Sequence, residues 1–482
     1  MKRKFKILQS KKRLTATQPL LIALLLVLAL ALVACGGEVQ EPETEPTEPA
    51  SSEEEPDGEA EEPAPEAEGE AVTLTFLTLD DPDQLLALEA MVEAWKASDS
   101  RWANATVQIN SVPFAQLFPQ IEASVAAGAD FDAFLADGPD IKHYAYNQAI
   151  IPLAEFYTDE ELQEWVPQSV EEGSYNDQFY APPIMQSCSL MFYNADMTDA
   201  AGLQPPQEVQ GWTMDEAWDA WEKTTVDDTG DGTPEVWGLR WGQGTWWGDY
   251  EQGIPRRSAG ERGSPTFEGV GPDGITFVGY LDTPEAIAAY ETYRAWHIGD
   301  RAVTPVEAIP DIFVGNQAAF MVSPDNRIGQ INRLYPDGDF NYGVTGIPYF
   351  ADGAQLCHTG SWHFGVSPNT PNQEAAVAMV KFFAGPDGSR IWYDHVRQLP
   401  ARFDLLNTLP DYSEYPQQLF SIGLQEIGEP RIQTPCYTEY QQLHAELLQN
   451  ISQGQDLDVE QLVSSTAANM EQACARYAGW NE

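Results

Sequence analysis

The stretch Val72-Thr-Leu-Thr-Phe-Leu-Thr-Leu79 decides the fold, because it reads as a strand and sets the phase for everything after it. β-branched and apolar residues fill it, and acids and a proline close it. Leu85, Leu86, Leu88, Met91, Val92 and Trp95 then recur at helical spacing, which predicts one buried helix face. Thr106 to Val112 reads as a second strand, and Phe114 to Ala127 as a second amphipathic helix stopped by Gly128. Phe131 to Ala136 is a third short apolar run. Strands alternating with helices imply parallel pairing through crossover helices, an α/β lobe. Open sheets of this kind present ligand crevices at the carboxyl ends of their strands. Asp80 and Asp81 after the first strand, and Asp137 and Gly138 after the third, are therefore candidate ligand contacts. The competing reading for each is helix capping or turn formation.

Working outward, about 410 residues follow position 70, too many for one ordinary core and suited to two lobes. Ahead of the body, Lys2, Arg3, Lys4, Lys6, Lys11, Lys12 and Arg13 precede an all-apolar run from Leu20 to Val33. A cationic start, a short apolar core and small residues at its exit describe a secretory signal over residues 1–35. The rival reading, a membrane-spanning anchor, needs about 20 apolar residues, more than the run supplies. Cys35 directly after Leu32-Val33-Ala34 is similar to a bacterial lipobox, which implies a lipidated cysteine on the extracytoplasmic face of a membrane. Residues 36–70 carry fifteen acids and no Lys or Arg, a composition that stays disordered and extended. It reads as a spacer, with an interaction tail as the alternative.

Without residues 1–35, which hold seven basic residues and no acids, 18 Lys+Arg face 75 Asp+Glu, a net charge near −57. Such a surface repels nucleic acid and anionic ligands and fits a neutral or cationic solute. Cys188, Cys357, Cys436 and Cys474 remain after Cys35. In an oxidising compartment they could form two disulfides in any of three connectivities, or stay as buried thiols.

Several segments in order resemble the extracellular solute-binding proteins of ABC transporters, in the carbohydrate-type group that includes maltose-binding protein. They are Ile121-Glu-Ala-Ser-Val-Ala-Ala-Gly128, the Asp130-to-Pro139 segment and Ala149-Ile-Ile-Pro-Leu153 in the first lobe. Tyr180-Ala-Pro-Pro-Ile-Met-Gln-Ser-Cys-Ser-Leu-Met-Phe-Tyr-Asn194 is similar to the family's strand crossing between lobes. Ile312-Phe-Val-Gly-Asn-Gln-Ala-Ala-Phe-Met-Val322, Asn341-Tyr-Gly-Val-Thr-Gly-Ile-Pro348, Gly360-Ser-Trp-His-Phe-Gly-Val-Ser-Pro368 and Ala375 to Gly385 complete the order. The resemblance implies a two-lobed, type II periplasmic-binding-protein-like fold. One lobe would comprise residues 71–181 and 318–369, the other 185–317 and 370–482, with a hinge that closes on ligand. It also implies a monomer that captures a mono- or oligosaccharide and delivers it to the permease subunits of an importer.

A sugar ring offers a C–H face to an indole and a rim of hydroxyls to polar groups. Trp237, Trp241, Trp246, Trp247 and Trp362 lie in Gly-rich stretches. Trp246, Trp247 and Trp362 are the candidate stacking residues, and at least two of the group are expected in the cleft, core packing being the alternative for each. Gly360 and Ser361 before Trp362 would admit a close backbone approach. The crossing strand places Gln186 and Ser187 near the hinge. Where the family often has a tryptophan, Asp325 and Asn326 stand as hydrogen-bonding substitutes, and Tyr437 fills a late aromatic position. Asp227, Thr229 and Asp231 imitate part of a calcium loop, but Gly238 stands where a bidentate acid belongs. An Asx-rich turn is the other reading. Cys357, His358 and His363 lack a standard zinc spacing. No Gly-x-Ser-x-Gly, HExxH or Walker loop occurs, so a binding protein is expected and a lipid-anchored glycan hydrolase is the rival from another class. A peptide, polyamine or polyol is the alternative cargo.

Overall fold

The computed structural model describes residues 69, 71–128, 131–241, 249–454 and 456–481. Residues 1–35, expected to be a secretory signal ending at Cys35, nearly all of residues 36–70, expected to be a spacer, and Trp246 and Trp247 lie outside the described residues.

Two sheets organise the body. The first has the order Thr106–Val112, Thr73–Leu79, Ala133–Asp137, Trp362–Val366, Pro183–Met185. Its first three strands are parallel, as the alternation of strands and helices requires, and Trp362–Val366 runs antiparallel between Ala133–Asp137 and Pro183–Met185. Helix Pro82–Ser98 begins where the Asp81 side chain accepts the Gln84 N–H at 3.0 Å, and Pro82 needs no donor partner in the first turn. Its buried face runs through Gln84, Ala87, Leu88, Met91, Val92 and Trp95. Leu86 points to solvent, because 3.6-residue periodicity cannot bury both it and the 84–88–91–95 stripe. Helix Phe114–Ala127 ends as read at Gly128, whose φ of 94° favours glycine.

The second sheet has the order Tyr342–Thr345, Leu190–Asn194, Ala318–Ser323, Trp237–Arg240. The expected lobe boundaries need correcting here. Ala318–Ser323 pairs with both Leu190–Asn194 and Trp237–Arg240, and Tyr342–Thr345 flanks Leu190–Asn194. Residues 318–345 thus build the second lobe, and the chain returns to the first only before Trp362. Helices Gln373–Ala384 and Pro386–Val396 pack into the first core beside Phe76, Phe364 and Met91. The sequence reading places those helices, within 370–482, in the second lobe instead. Hydrogen-bond partnership is a long-range choice, and a buried apolar strand carries no mark of which sheet it joins.

Three segments cross between the sheets: 186–189, the run leading to Trp362, and 397–402. Gln186 N–H donates to Leu399 O at 2.8 Å, tying two crossings together. Cys188 is bonded to Cys357 and Cys436 to Cys474, with Cα separations of 5.2 and 5.5 Å. The first bridge joins two crossing segments; the second clamps the C-terminal helices Tyr437–Gln453 and Val459–Cys474.

Candidate functional site

At the ends of the first sheet's strands, register does the assembling. Trp362 opens its strand opposite Asp137, the last residue of Ala133–Asp137, and on its other side it pairs with Met185. The antiparallel strand therefore starts where the parallel one stops, and both deliver side chains to one spot. Asp137, Met185, Ser361 and Trp362 line a cavity of about 110 Å³ there. The facing wall is built by Tyr250, Pro324, Asp325, Asn326 and Arg431, with Ser187, Gly360 and Gln398 from the crossings and Phe114 at the side.

Asp137 forms an ion pair with the buried guanidinium of Arg431. Burial pushes the Asp137 carboxyl above its ordinary range, against the pull of Arg431. Burial opposes the charge on Arg431 as well, but Asp137 outweighs it and holds the guanidinium protonated. Arg431 also lies over the rings of Tyr250 and Tyr437, at 5.4 and 5.7 Å. Its Nη1 donates to the Tyr437 hydroxyl at 3.2 Å, which donates in turn to Asp249.

Ser187 Oγ accepts the Gly360 N–H at 3.0 Å, donates to Gly360 O at 2.8 Å and meets the Tyr250 hydroxyl at 2.6 Å. Gly360 has to be glycine: a Cβ there would stand 2.8 Å from the Tyr250 ring. Beneath Ser361 lies Glu172, fully buried, accepting from Thr359, Ser361 and Gln186. Burial raises its carboxyl, but His363 and these donors prevail and hold it below the ordinary value. Asp325 is 4% exposed; the Tyr412 hydroxyl donates to its Oδ2 at 3.3 Å, and its Oδ1 has no hydrogen bond. Burial pushes the Asp325 carboxyl up to about 7, against Tyr412 and nearby backbone N–H groups.

Of the residues singled out from sequence, Asp137, Ser187, Asp325, Asn326, Gly360, Ser361 and Trp362 converge on this cavity. Gly138 sits behind it, its N–H donating to Ser361 O at 2.9 Å. Others are corrected. Asp81 caps a helix, and Asp80 N–H bonds Val112 O. Gln186 faces Glu172 and Ser169 instead of the cavity, because the buried carboxylate needs its donors. Tyr437 is wholly buried under Arg431. Trp241 packs in the second lobe's core against Trp221 and Trp296, so among the described tryptophans Trp362 is the one that lines the cavity. The Asp227–Asp231 loop is an Asx turn: Asp227 accepts the N–H groups of Gly230 and Gly232, and Asp231 that of Thr233. Its oxygens accept backbone N–H groups, which is the turn alternative offered by its sequence. Among the described residues no group of three or more His, Cys, Asp or Glu is arranged to hold a metal.

Sequence reading missed Arg431, Tyr250, Gln398, Phe114, Met185 and Pro324. Arg431 left one faint signal, a lone base between Pro430 and Ile432 in a chain poor in cations. Tyr250 left none.

Residues 90–420 match the family of bacterial extracellular solute-binding proteins, and the chain belongs to that family. Solved structures share its two-lobed, type II periplasmic-binding-protein-like fold. An ABC substrate-binding protein from Listeria monocytogenes in complex with cycloalternan is 18% identical, with a TM-score of 0.69 over 84% of this chain and 100% of that one. The maltose/maltodextrin-binding domain from Bdellovibrio bacteriovorus bound to maltotriose is 17% identical, with a TM-score of 0.68 over 84% and 100%. A solute-binding protein from Thermotoga lettingae bound with alpha-D-tagatose is 19% identical, with a TM-score of 0.67 over 83% and 99%.

Proposed function

We propose that the protein captures a saccharide in the cavity between its lobes and delivers it to the permease of an ABC importer. The observation that carries the reading is Trp362 set at the strand ends among Asp137, Ser187, Asn326 and Gln398. An indole beside converging acceptors and donors suits a ring with one C–H face and a rim of hydroxyls. Relatives of this fold hold cycloalternan, maltotriose and tagatose, which supports the solute class. On this reading the lobes close over ligand about the three crossings. Cys35 carries the lipid, residues 36–70 act as the tether, and the receptor works as a monomer.

A binder is favoured over a hydrolase by the state of the carboxylates. Hydrolysis of a glycosidic bond needs an acid and a second free carboxylate flanking it, whereas Asp137 is committed to Arg431. A thermal-shift screen across mono- and oligosaccharides, followed by a product assay, tests the proposal. Saturable stabilisation without turnover is expected, since a ligand that prefers the folded state raises its stability. Absence of any shift across the panel, or turnover abolished by a carboxylate substitution, would overturn it.

A further inference from the structure

Two cavities adjoin at Arg431. One is the cavity of about 110 Å³ beside Trp362. The other, of about 590 Å³, is lined by Lys142, Glu171, Arg257, Glu268 and Trp480, and Arg431 is common to both. The Asp137–Arg431 ion pair therefore stands where a ligand on Trp362 would have to pass to reach the larger space. Neither partner is placed to swing aside. Their side chains are 15% and 5% exposed. The guanidinium lies over the rings of Tyr250 and Tyr437 and donates to the Tyr437 hydroxyl. Parting the pair would leave two buried charges unanswered, and a sugar hydroxyl returns less than the charge-assisted bond it would replace. Ser187, Gly360 and Gln398, from the crossings, line the smaller cavity as well, so a chain cannot run on through the hinge.

The larger cavity offers a sugar ring no comparable face. Trp480, the one tryptophan that lines it among the described residues, is stacked on Tyr175 at 5.6 Å. Gly274 packs against its edge, where a Cβ would stand 2.5 Å away. The ring face of a saccharide is therefore served at Trp362, on the near side of the pair. We propose that the Asp137–Arg431 pair is a specificity-determining barrier: it stops the bound saccharide at one chain end, so that a linear sugar is taken by its terminus and no further unit fits beyond the pair. The inference rests on the saccharide reading and narrows it. The terminal ring would lie on Trp362 with its end hydroxyls toward Asp137 and Arg431, and the rest of the chain would leave in the opposite direction.

Calorimetric titration of the whole protein with linear gluco- and manno-oligosaccharides of two to six units tests this. Each is compared with the same chain carrying a p-nitrophenyl group on its reducing end, or a benzylidene acetal on its non-reducing end. In the series that binds, one tag should weaken binding by about a hundredfold or more, and the other should leave it within about threefold. Tolerance of both tags, or loss with both, overturns the inference while leaving the saccharide reading intact. No binding by any untagged chain removes both. Asp137→Ala combined with Arg431→Ala takes away the two charges together, so neither is left buried alone. That double variant should admit the excluded tag about as well as the untagged chain, and a folded double variant that still refuses it overturns the inference. The tag contrast in the parent protein needs no variant and decides the matter even if the double variant fails to fold.

Discussion

Each sheet offers the cavity one aspartate from the exit of a strand, and the two are treated oppositely. Asp137 ends a strand of the first sheet and is met by Arg431; Asp325 follows Ala318–Ser323 in the second and meets no base. Burial raises both carboxyls. The difference lies in the partner. A buried charge with a partner is answered by it, while a buried carboxyl without a base is costly to ionise.

Removing the partner should break the contrast most severely. Arg431→Ala leaves Asp137 buried and unanswered, and about 3–5 kcal/mol of folding stability should be lost, measured by urea unfolding above neutral pH. Acidification that protonates Asp137 should recover part of the loss; an unchanged midpoint would mean that the pair contributes nothing. Asp325→Asn should move stability the other way. An acid whose pKa is raised on folding keeps its proton longer in the folded state, so stability falls as pH rises from about 4 toward 7. The asparagine variant should escape that fall and be more stable than the parent above neutrality, by roughly 2–4 kcal/mol. Denaturation curves on either side of this window check the sign, and a variant less stable than the parent at high pH would contradict it.

Binding should discriminate the walls with smaller effects. Trp362→Ala should weaken saccharide affinity by about 2 kcal/mol with only a modest change in melting temperature, since Trp362 is half-buried and meets Phe114 edge-on at 6.3 Å. Calorimetry on the ligand found in the screen reads this directly. The smallest effect belongs to an aspartate whose oxygens are already used. Asp227→Ala should cost about 1 kcal/mol or less through its lost turn bonds, leave ligand affinity unchanged, and show no melting shift on adding calcium to the parent protein. A calcium-dependent rise in melting temperature would make the loop a metal site instead.

Much of the first lobe was legible because its signals are local. The strand at 72–79, the stop at Gly128 and the aspartate at a strand exit all depend on neighbours within a turn or two. Asp325 and Asn326 were reached from a departure in a familiar motif, and both line the cavity. Tyr437 and Gln186 were misplaced for one reason. Their polar atoms are claimed by the buried Arg431 and Glu172, and no spacing announces that a charged residue will be buried there.

The sequence by itself determined the two-lobed α/β class, the acid-rich and cation-poor character of the body, and the residues that leave strands with polar side chains. These follow from periodicity and composition, which are additive along the chain. Tertiary structure alone decided that residues 318–345 join the second sheet, that Cys188 meets Cys357 and Cys436 meets Cys474, and that Arg431 answers Asp137 rather than Asp325. Those are choices among distant partners, settled by which arrangement buries apolar strands and satisfies buried charge together.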